Sequence, residues 1–345
     1  MKIRYATHAD FERLIDFLRI NWSENHVFVK NPELLLWQHG QPNSETLNFV
    51  LAENEGSILS ILGFIPSTRF DPLMKPSNIA LAIWAKSQSA PTGSGVLLLK
   101  FLEKRKAVNS IFAIGLSDVV KPIYRKLGYR VTKMKHYAIV NSNIKHFVLL
   151  KLPGEQVFQN FTEEKKFETW IIESISQEEL KSYLVEIETA KTFTFIKARY
   201  MEHPVYDYKF AFLGCGEKLE LLVIFRMQSN DMTNILRVVD ILGDQSALSR
   251  YFNDFQTLLT KYEAEYLHFY TSREIDTKVV QGYVIEIDHE TRAIVPNYFE
   301  PYSDQNVHLD YCMKYLEPIY NESVLYLADS DQDRPNFYIP KAKIS

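Results

Sequence analysis

Residues 78–106 read NIALAIWAKSQSAPTGSGVLLLKFLEKRK, and this segment constrains the fold more than any other. Asn78–Trp84 is an apolar strand with no polar alternation, so both of its faces need cover. The loop Lys86–Ser94 follows, with Gly93-Ser94-Gly95 at its end, and then a helix runs to about Lys106. A doubly covered strand feeding a helix through a small-residue loop belongs to a sheet flanked by helices.

The segments around it agree. Met1–Tyr5 reads as a strand. A helix follows, opened by Thr7 and Asp10 in capping-box spacing and carrying Phe11, Leu14, Ile15 and Leu18 on one face. Asn31–His39 reads as a second helix with Pro32 in its first turn. Asn48–Asn54 and Ser57–Phe64 form a hairpin about Glu55-Gly56. Ser110–Leu116 is a strand, and Pro122–Leu127 a short helix stopped by Gly128. Tyr129–Val131 and His136–Val140 are further strands.

After the break at Pro153-Gly154 the same order recurs without residue identity. Trp170–Ser174 reads as a strand, followed by helices over Gln177–Ile187 and Phe193–Glu202. A hairpin follows over Lys209–Leu213 and Leu219–Met227, then a strand over Asn234–Ile241. Ala247–Glu263 is expected to be one long helix, then Tyr266–Tyr270 a strand, with later strands at 283–287 and 292–295. The expectation is an α/β (α+β) chain of two tandem domains, 1–145 and 146–345, each a mixed, mostly antiparallel sheet flanked by helices.

Composition sets limits on function. With 46% hydrophobic residues among 345, two packed cores are affordable. No apolar run reaches membrane-spanning length and the first residues lack a signal core, so a cytoplasmic protein is expected. Cys215 and Cys312 are too far apart for metal-type spacing, so no metal and no disulfide framework are expected. The net charge of −4 is uneven. Residues 1–150 carry 19 Lys+Arg against 11 Asp+Glu, and residues 151–345 carry 20 against 32. A basic first half suits a small polyanion, but no dense basic cluster points to nucleic acid.

The loop before the second-half helix differs from its counterpart. Gly93-Ser94-Gly95 lets backbone N–H groups at a helix start converge on a diphosphate. Leu242-Gly243-Asp244-Gln245 offers one glycine and places a carboxylate at the cap. Neither a Walker A loop nor a three-glycine dinucleotide fingerprint is present.

The run IFAIGLSDVVKPIYRKLGYRV adds a strand, a short helix with Tyr124, and Leu127-Gly128-Tyr129. Together with the 78–106 segment it resembles the GNAT superfamily of acyl-CoA-dependent N-acyltransferases. That resemblance implies acyl-CoA as co-substrate. Its diphosphate would lie on Pro91, Thr92, Gly93, Ser94 and Gly95, and its pantetheine arm along Ile83, Trp84 and Ala85. It also implies that Tyr124, four residues before Gly128, protonates the leaving thiolate. One departure stands in the loop: the usual Gln or Arg three residues before the first glycine is Ala90 here, with Gln88 two residues early. The strand offers no carboxylate or His as base. His8, Asp71 and His203 are considered, and the base stays unassigned.

HPVYDY at 203–208, VPNYFEP at 295–301 and DSDQDRPN at 329–336 further resemble the tandem-GNAT N-acyltransferases of nucleotide-linked amino sugars in surface polysaccharide (lipopolysaccharide O-antigen) pathways. That likeness implies acetyl-CoA or 3-hydroxybutanoyl-CoA as donor. The acceptor would be a dTDP-linked amino deoxysugar (dTDP-Fuc3N), contacted by Asn297, Tyr298, Asp333 and Arg334. Two other readings remain at this point: an aminoacyl-tRNA-dependent peptidyltransferase of the tandem-GNAT kind, and a non-catalytic module that binds CoA or a nucleotide sugar.

Overall fold

The computed structural model of the chain describes residues 1–41, 44–153, 169–173, 175–186, 191–275, 284–288, 290–296 and 305–316. Strand β1 (Lys2–Thr7) leads through a 3₁₀ turn into α1 (Phe11–Asn21), α2 (Val27–Lys30) and α3 (Pro32–His39). The hairpin β2 (Thr46–Asn54) and β3 (Ser57–Pro66) precedes β4 (Ser77–Lys86). Then come α4 (Ser94–Leu102), β5 (Val108–Ile114), α5 (Lys121–Lys126) and β6 (Arg130–Lys133). The order repeats with β7 (Lys135–Val140), β8 (Thr169–Ile172), α6 (Gln177–Glu186), α7 (Phe193–Ile196), β9 (Lys209–Cys215), β10 (Lys218–Ser229) and β11 (Asn234–Gly243). The last described elements are α8 (Phe252–Lys261), β12 (Ala264–Thr271), β13 (Val284–Glu286) and β14 (Asp310–Tyr315).

Two seven-stranded sheets result, ordered β1-β2-β3-β4-β5-β14-β6 and β13-β7-β12-β11-β10-β9-β8. Among the strand pairs whose register is described, all are antiparallel except β4 with β5 and β11 with β12. Among the described residues two compact units follow the sheets: those of 1–132 with 310–316, and those of 133–309. The boundary expected after residue 145 stands at Thr132/Lys133 in this division. The strand expected at His136–Val140 within the first half pairs instead with β12 and β13, in the second sheet. Its composition explains the placement. Tyr137 and Ile139 are fully buried in one core, and Ala138 and Val140 in another. A strand apolar on both faces needs an interior position. Strand β14, absent from the sequence reading, returns to pair with β5. Its Cys312 faces the first core, while Lys314 Nζ donates to Glu103 Oε1 and to the Leu127 carbonyl, each at 2.9 Å.

Three further differences are local. Phe193–Glu202 is an α-helical turn followed by a π-helical stretch, Lys197–Met201. The long helix expected over Ala247–Glu263 is a 3₁₀ helix, Gln245–Tyr251, followed by α8. Gln245 Nε2 donates to the Ile241 carbonyl, and the Tyr251 hydroxyl donates to Glu220, so the first turns are tied to the sheet and wind tightly. Residues 292–295 contribute a single bridge, Ile294 with Lys151.

The start of the first unit is fixed electrostatically. The Thr7 N–H donates to Asp10 Oδ2 at 2.9 Å, which completes the expected capping box. Asp10 is buried and accepts from both Arg4 and Arg13, which also bond Glu53 on β2. The Arg4 guanidinium holds the Asp10 carboxyl far below its usual range. In the second unit His136 Nε2 lies 3.3 Å from His268 Nδ1, and the His136 ring stacks on Tyr270 with centroids 4.1 Å apart. Burial pushes His136 down to about 3 and His268 well below its ordinary value.

Two predictions follow from these groups. Asp10→Ala, which leaves Arg4 and Arg13 with Glu53 as their remaining shared carboxylate, should lower stability by about 2–3 kcal/mol in chemical denaturation. In the intact protein the Asp10 contribution is complete above about pH 4 and is lost as pH falls further, because the unfolded carboxyl binds a proton first. A variant as stable as the parent would remove Asp10 from the account. The imidazole pair acts higher. Unfolded histidines protonate near pH 6.5 while the buried pair stays neutral, so stability should decline as pH drops from about 7 to 5. His268→Gln should flatten that slope; an unchanged slope would assign the decline to other groups.

Candidate functional site

The site begins where backbone pairing stops. Parallel pairing of β4 with β5 runs from Ser77↔Val108 to Ala80↔Phe112 and ends there. Beyond that point β4 continues to Lys86 on β3 alone, and β5 continues to Ile114 on β14. On β4 the register with β3 jumps from Phe64↔Leu81 to Gly63↔Ile83, so Ala82 is the extra residue of a bulge. A bulge bends and twists its strand. The bulge lies just past the end of pairing between β4 and β5, and the unpaired stretch beyond it, whose β4 side is Ile83, Trp84 and Ala85, is the β4–β5 wedge.

At the far end of β4 the chain makes a compact turn. Ala90 N–H donates to the Ser87 carbonyl and Ser94 N–H to the Pro91 carbonyl. Gly93 caps α4 at φ 85°, in the left-handed region that favours glycine. Pro91, Thr92 and Gly93 are exposed. The first helical backbone bond is from Leu97 to Gly93, so the N–H groups of Gly95 and Val96 have no helical acceptor. Ser94 is buried, and its hydroxyl lies 2.7 Å from that of Ser60 on β3. It therefore gives this turn a backbone rather than a side-chain group. Leu98, Leu99 and Leu102 are buried in the first core and hold α4 to the sheet.

Tyr124 reaches the same region from α5. That helix closes with a Schellman motif: Tyr129 N–H to the Tyr124 carbonyl at 3.0 Å, and Gly128 N–H to the Arg125 carbonyl at 3.1 Å. Gly128 takes φ 85°, and the rings of Tyr124 and Tyr129 meet edge to face at 5.1 Å. The Leu-Gly-aromatic run is thus the physical stop of this helix. Tyr124 is 2% exposed, its ring centroid is 5.6 Å from that of Trp84, and burial pushes its phenol well above the ordinary range. A phenol held this way keeps its proton at neutral pH. Cys312, pushed up to about 12 by burial, stays a neutral thiol at that pH.

The sequence reading named Ile83, Trp84, Ala85, the 91–95 turn and Tyr124, and all lie in the first unit around the β4–β5 wedge. It did not single out Ser60 or the side-chain role of Trp84. The only sequence signal for the latter is the bare Cα of Gly95. A Cβ there would fall inside contact distance of Trp84 Nε1 and 2.9 Å from Cε2. Asn297, Tyr298, Asp333 and Arg334 lie outside the described residues. Of the three bases considered, Asp71 is buried and accepts the Leu73 N–H. His203 Nδ1 accepts from Val205 and Tyr206 in the second unit, and His8 sits at the exposed start of the first turn.

The second sheet repeats the wedge with different chemistry. Pairing of β11 with β12 stops at Arg237↔His268, and a bulge places an extra residue, Val239, on β11. Asp240 follows the bulge and is buried, accepting from Tyr200 and Lys191, where β4 has Ile83. The strand then passes straight into its helix through Gly243 and Asp244, with Asp244 accepting the Ser246 N–H at 3.0 Å. Among the described residues no cluster of three His, Cys, Asp or Glu is arranged for a metal, and no helix is long and apolar enough to cross a membrane.

No protein-family model matches the chain, and no curated protein matches it in sequence. Solved structures do match. A GCN5-related N-acetyltransferase from Anabaena variabilis superposes with a TM-score of 0.57 at 10% identity, over 92% of this chain and 73% of that one. A probable N-acyltransferase from Enterococcus faecalis gives 0.55 at 10% identity, over 91% and 72%. A GCN5-related N-acetyltransferase from Kribbella flavida gives 0.52 at 12%, over 91% and 70%. At such identities the likeness is one of fold, and with the doubled sheet order and doubled wedge it makes this chain a tandem of two GNAT-like domains.

Proposed function

We propose that the chain is an acyl-CoA-dependent N-acyltransferase, with the donor in the first domain and the amine of a dTDP-linked amino deoxysugar as acceptor. The observation that carries the donor half is the coincidence of three features. A strand leaves its neighbour after Ala80, a glycine-capped helix begins at Ser94 with free amide donors, and a neutral buried tyrosine stands beside the same wedge. An extended amide-bearing arm pairs naturally with an unpaired strand edge, and a diphosphate with a helix start. The basic balance of residues 1–150 favours the same polyanion. The second wedge, with Asp240 and Asp244, disfavours a second one.

In this reading the acceptor amine attacks the thioester carbonyl as a backbone N–H of Ile83–Ala85 stabilises the developing oxyanion. One such donor contributes roughly 3 kcal/mol. The C–N bond forms, the C–S bond breaks, and Tyr124 gives its proton to the departing thiolate and recovers one from solvent. The amine proton passes to water, since β4 carries no His or carboxylate. The acceptor half rests on the resemblance of HPVYDY, VPNYFEP and DSDQDRPN, and Asn297, Tyr298, Asp333 and Arg334 are its proposed contacts.

Purified protein incubated with acetyl-CoA or 3-hydroxybutanoyl-CoA and dTDP-amino sugars should release free thiol only when the acceptor is present. CoA binding without turnover would favour a binding module, and tRNA binding without CoA affinity a peptidyltransferase. Tyr124→Phe should cut turnover by about 10²-fold with donor affinity within about twofold, as expected for loss of a general acid. Unchanged turnover would remove Tyr124 from the chemistry. Gly93→Glu places a carboxylate and a Cβ at a left-handed, exposed cap. It should weaken CoA binding by more than about tenfold in calorimetry, and an unaltered dissociation constant would place the donor elsewhere.

A further inference from the structure

We infer that Trp84 is a positioning residue that sets the spacing between the helix start at Gly95 and the phenol of Tyr124; this rests on the donor site proposed above. The indole leaves β4 beyond the last pair with β5, on the side of the first core. One edge, carrying Nε1, Cε2 and Cζ2, lies against Gly95 at the second position of α4. The ring also faces Tyr124, with centroids 5.6 Å apart and planes inclined by 60°. Tyr124 in turn meets Tyr129, whose ring carries Lys314 Nζ 5.3 Å above it. A rigid bicyclic side chain therefore stands between the two ends of the proposed site, touching both. Side chains packed in this way fix their neighbours within fractions of an ångström.

The geometry makes the role specific. Gly95 is not at positive φ, so its lack of a side chain serves contact with the indole rather than backbone freedom. A methyl group at 95 must displace the Trp84 ring, and a smaller ring at 84 must make room for that methyl. A ligand that spans both ends should feel the displacement, and one that occupies only the helix start should feel it much less. Acetyl-CoA is the spanning probe and ADP, which carries the diphosphate alone, the single-ended one.

The test measures both dissociation constants by calorimetry for the intact protein, Gly95→Ala, Trp84→Phe and the double variant, with melting midpoints as a check on folding. Gly95→Ala is expected to weaken acetyl-CoA binding by about tenfold and ADP binding by less than about threefold. Adding Trp84→Phe is expected to restore acetyl-CoA to within about threefold of the parent. Equal losses for both probes, or a double variant no better than Gly95→Ala, would overturn the positioning role while leaving the donor site standing. A parent protein that binds neither probe would overturn the donor reading itself, and this inference with it.

Discussion

Everything at the candidate site depends on one interruption of backbone pairing. Had β4 and β5 stayed in register past Ala80 and Phe112, their N–H and C=O groups would be spent on each other. Instead the extra residue at Ala82 turns the strand away. Strand β3 anchors the diverging segment from its other side, pairing with it from Ile83 to Lys86 beyond the bulge. The loop that follows is short and internally bonded, and it delivers α4 with its first amides facing away from the helix. Fold and site are the same feature seen at two scales.

The two sheets carry this interruption twice and fill it differently. In the first unit the residues around it are apolar and aromatic. In the second, Arg237, Asp240, His268 and Tyr270 occupy the corresponding strands, and Asp240 accepts hydrogen bonds from Tyr200 and Lys191. Buried polar groups of this kind are stable only when paired, so the second wedge has become part of a polar core. Each sheet also takes a strand from outside its own sequence half. β7 is apolar on both faces and enters the second sheet, and β14 brings Cys312 and Lys314 to the first.

Local chemistry was legible in the sequence where it acts over a few residues. Thr7 with Asp10 closes the capping box, Glu55-Gly56 turns the hairpin, and Gly128 ends α5 by a Schellman motif that brings Tyr124 to the wedge. The exchange of β7 and β14 was not legible, because pairing partners far apart in sequence leave no periodic signal. The tight winding of Gln245–Tyr251 also depends on partners elsewhere, the Ile241 carbonyl and Glu220. The indole of Trp84 reads as one more apolar residue until the bare Cα of Gly95 is set beside it. Ser94 shows the converse: its position was legible but its hydroxyl is turned inward to Ser60.

A crystal structure of the chain with CoA tests the central claim most directly. The account predicts the pantetheine arm between β4 and β5, hydrogen-bonded along Ile83–Ala85. It predicts the diphosphate on the amides of Gly95 and Val96, and the sulfur within reach of the Tyr124 hydroxyl. CoA bound away from this wedge, or β4 and β5 closed upon each other with CoA in solution, would contradict it.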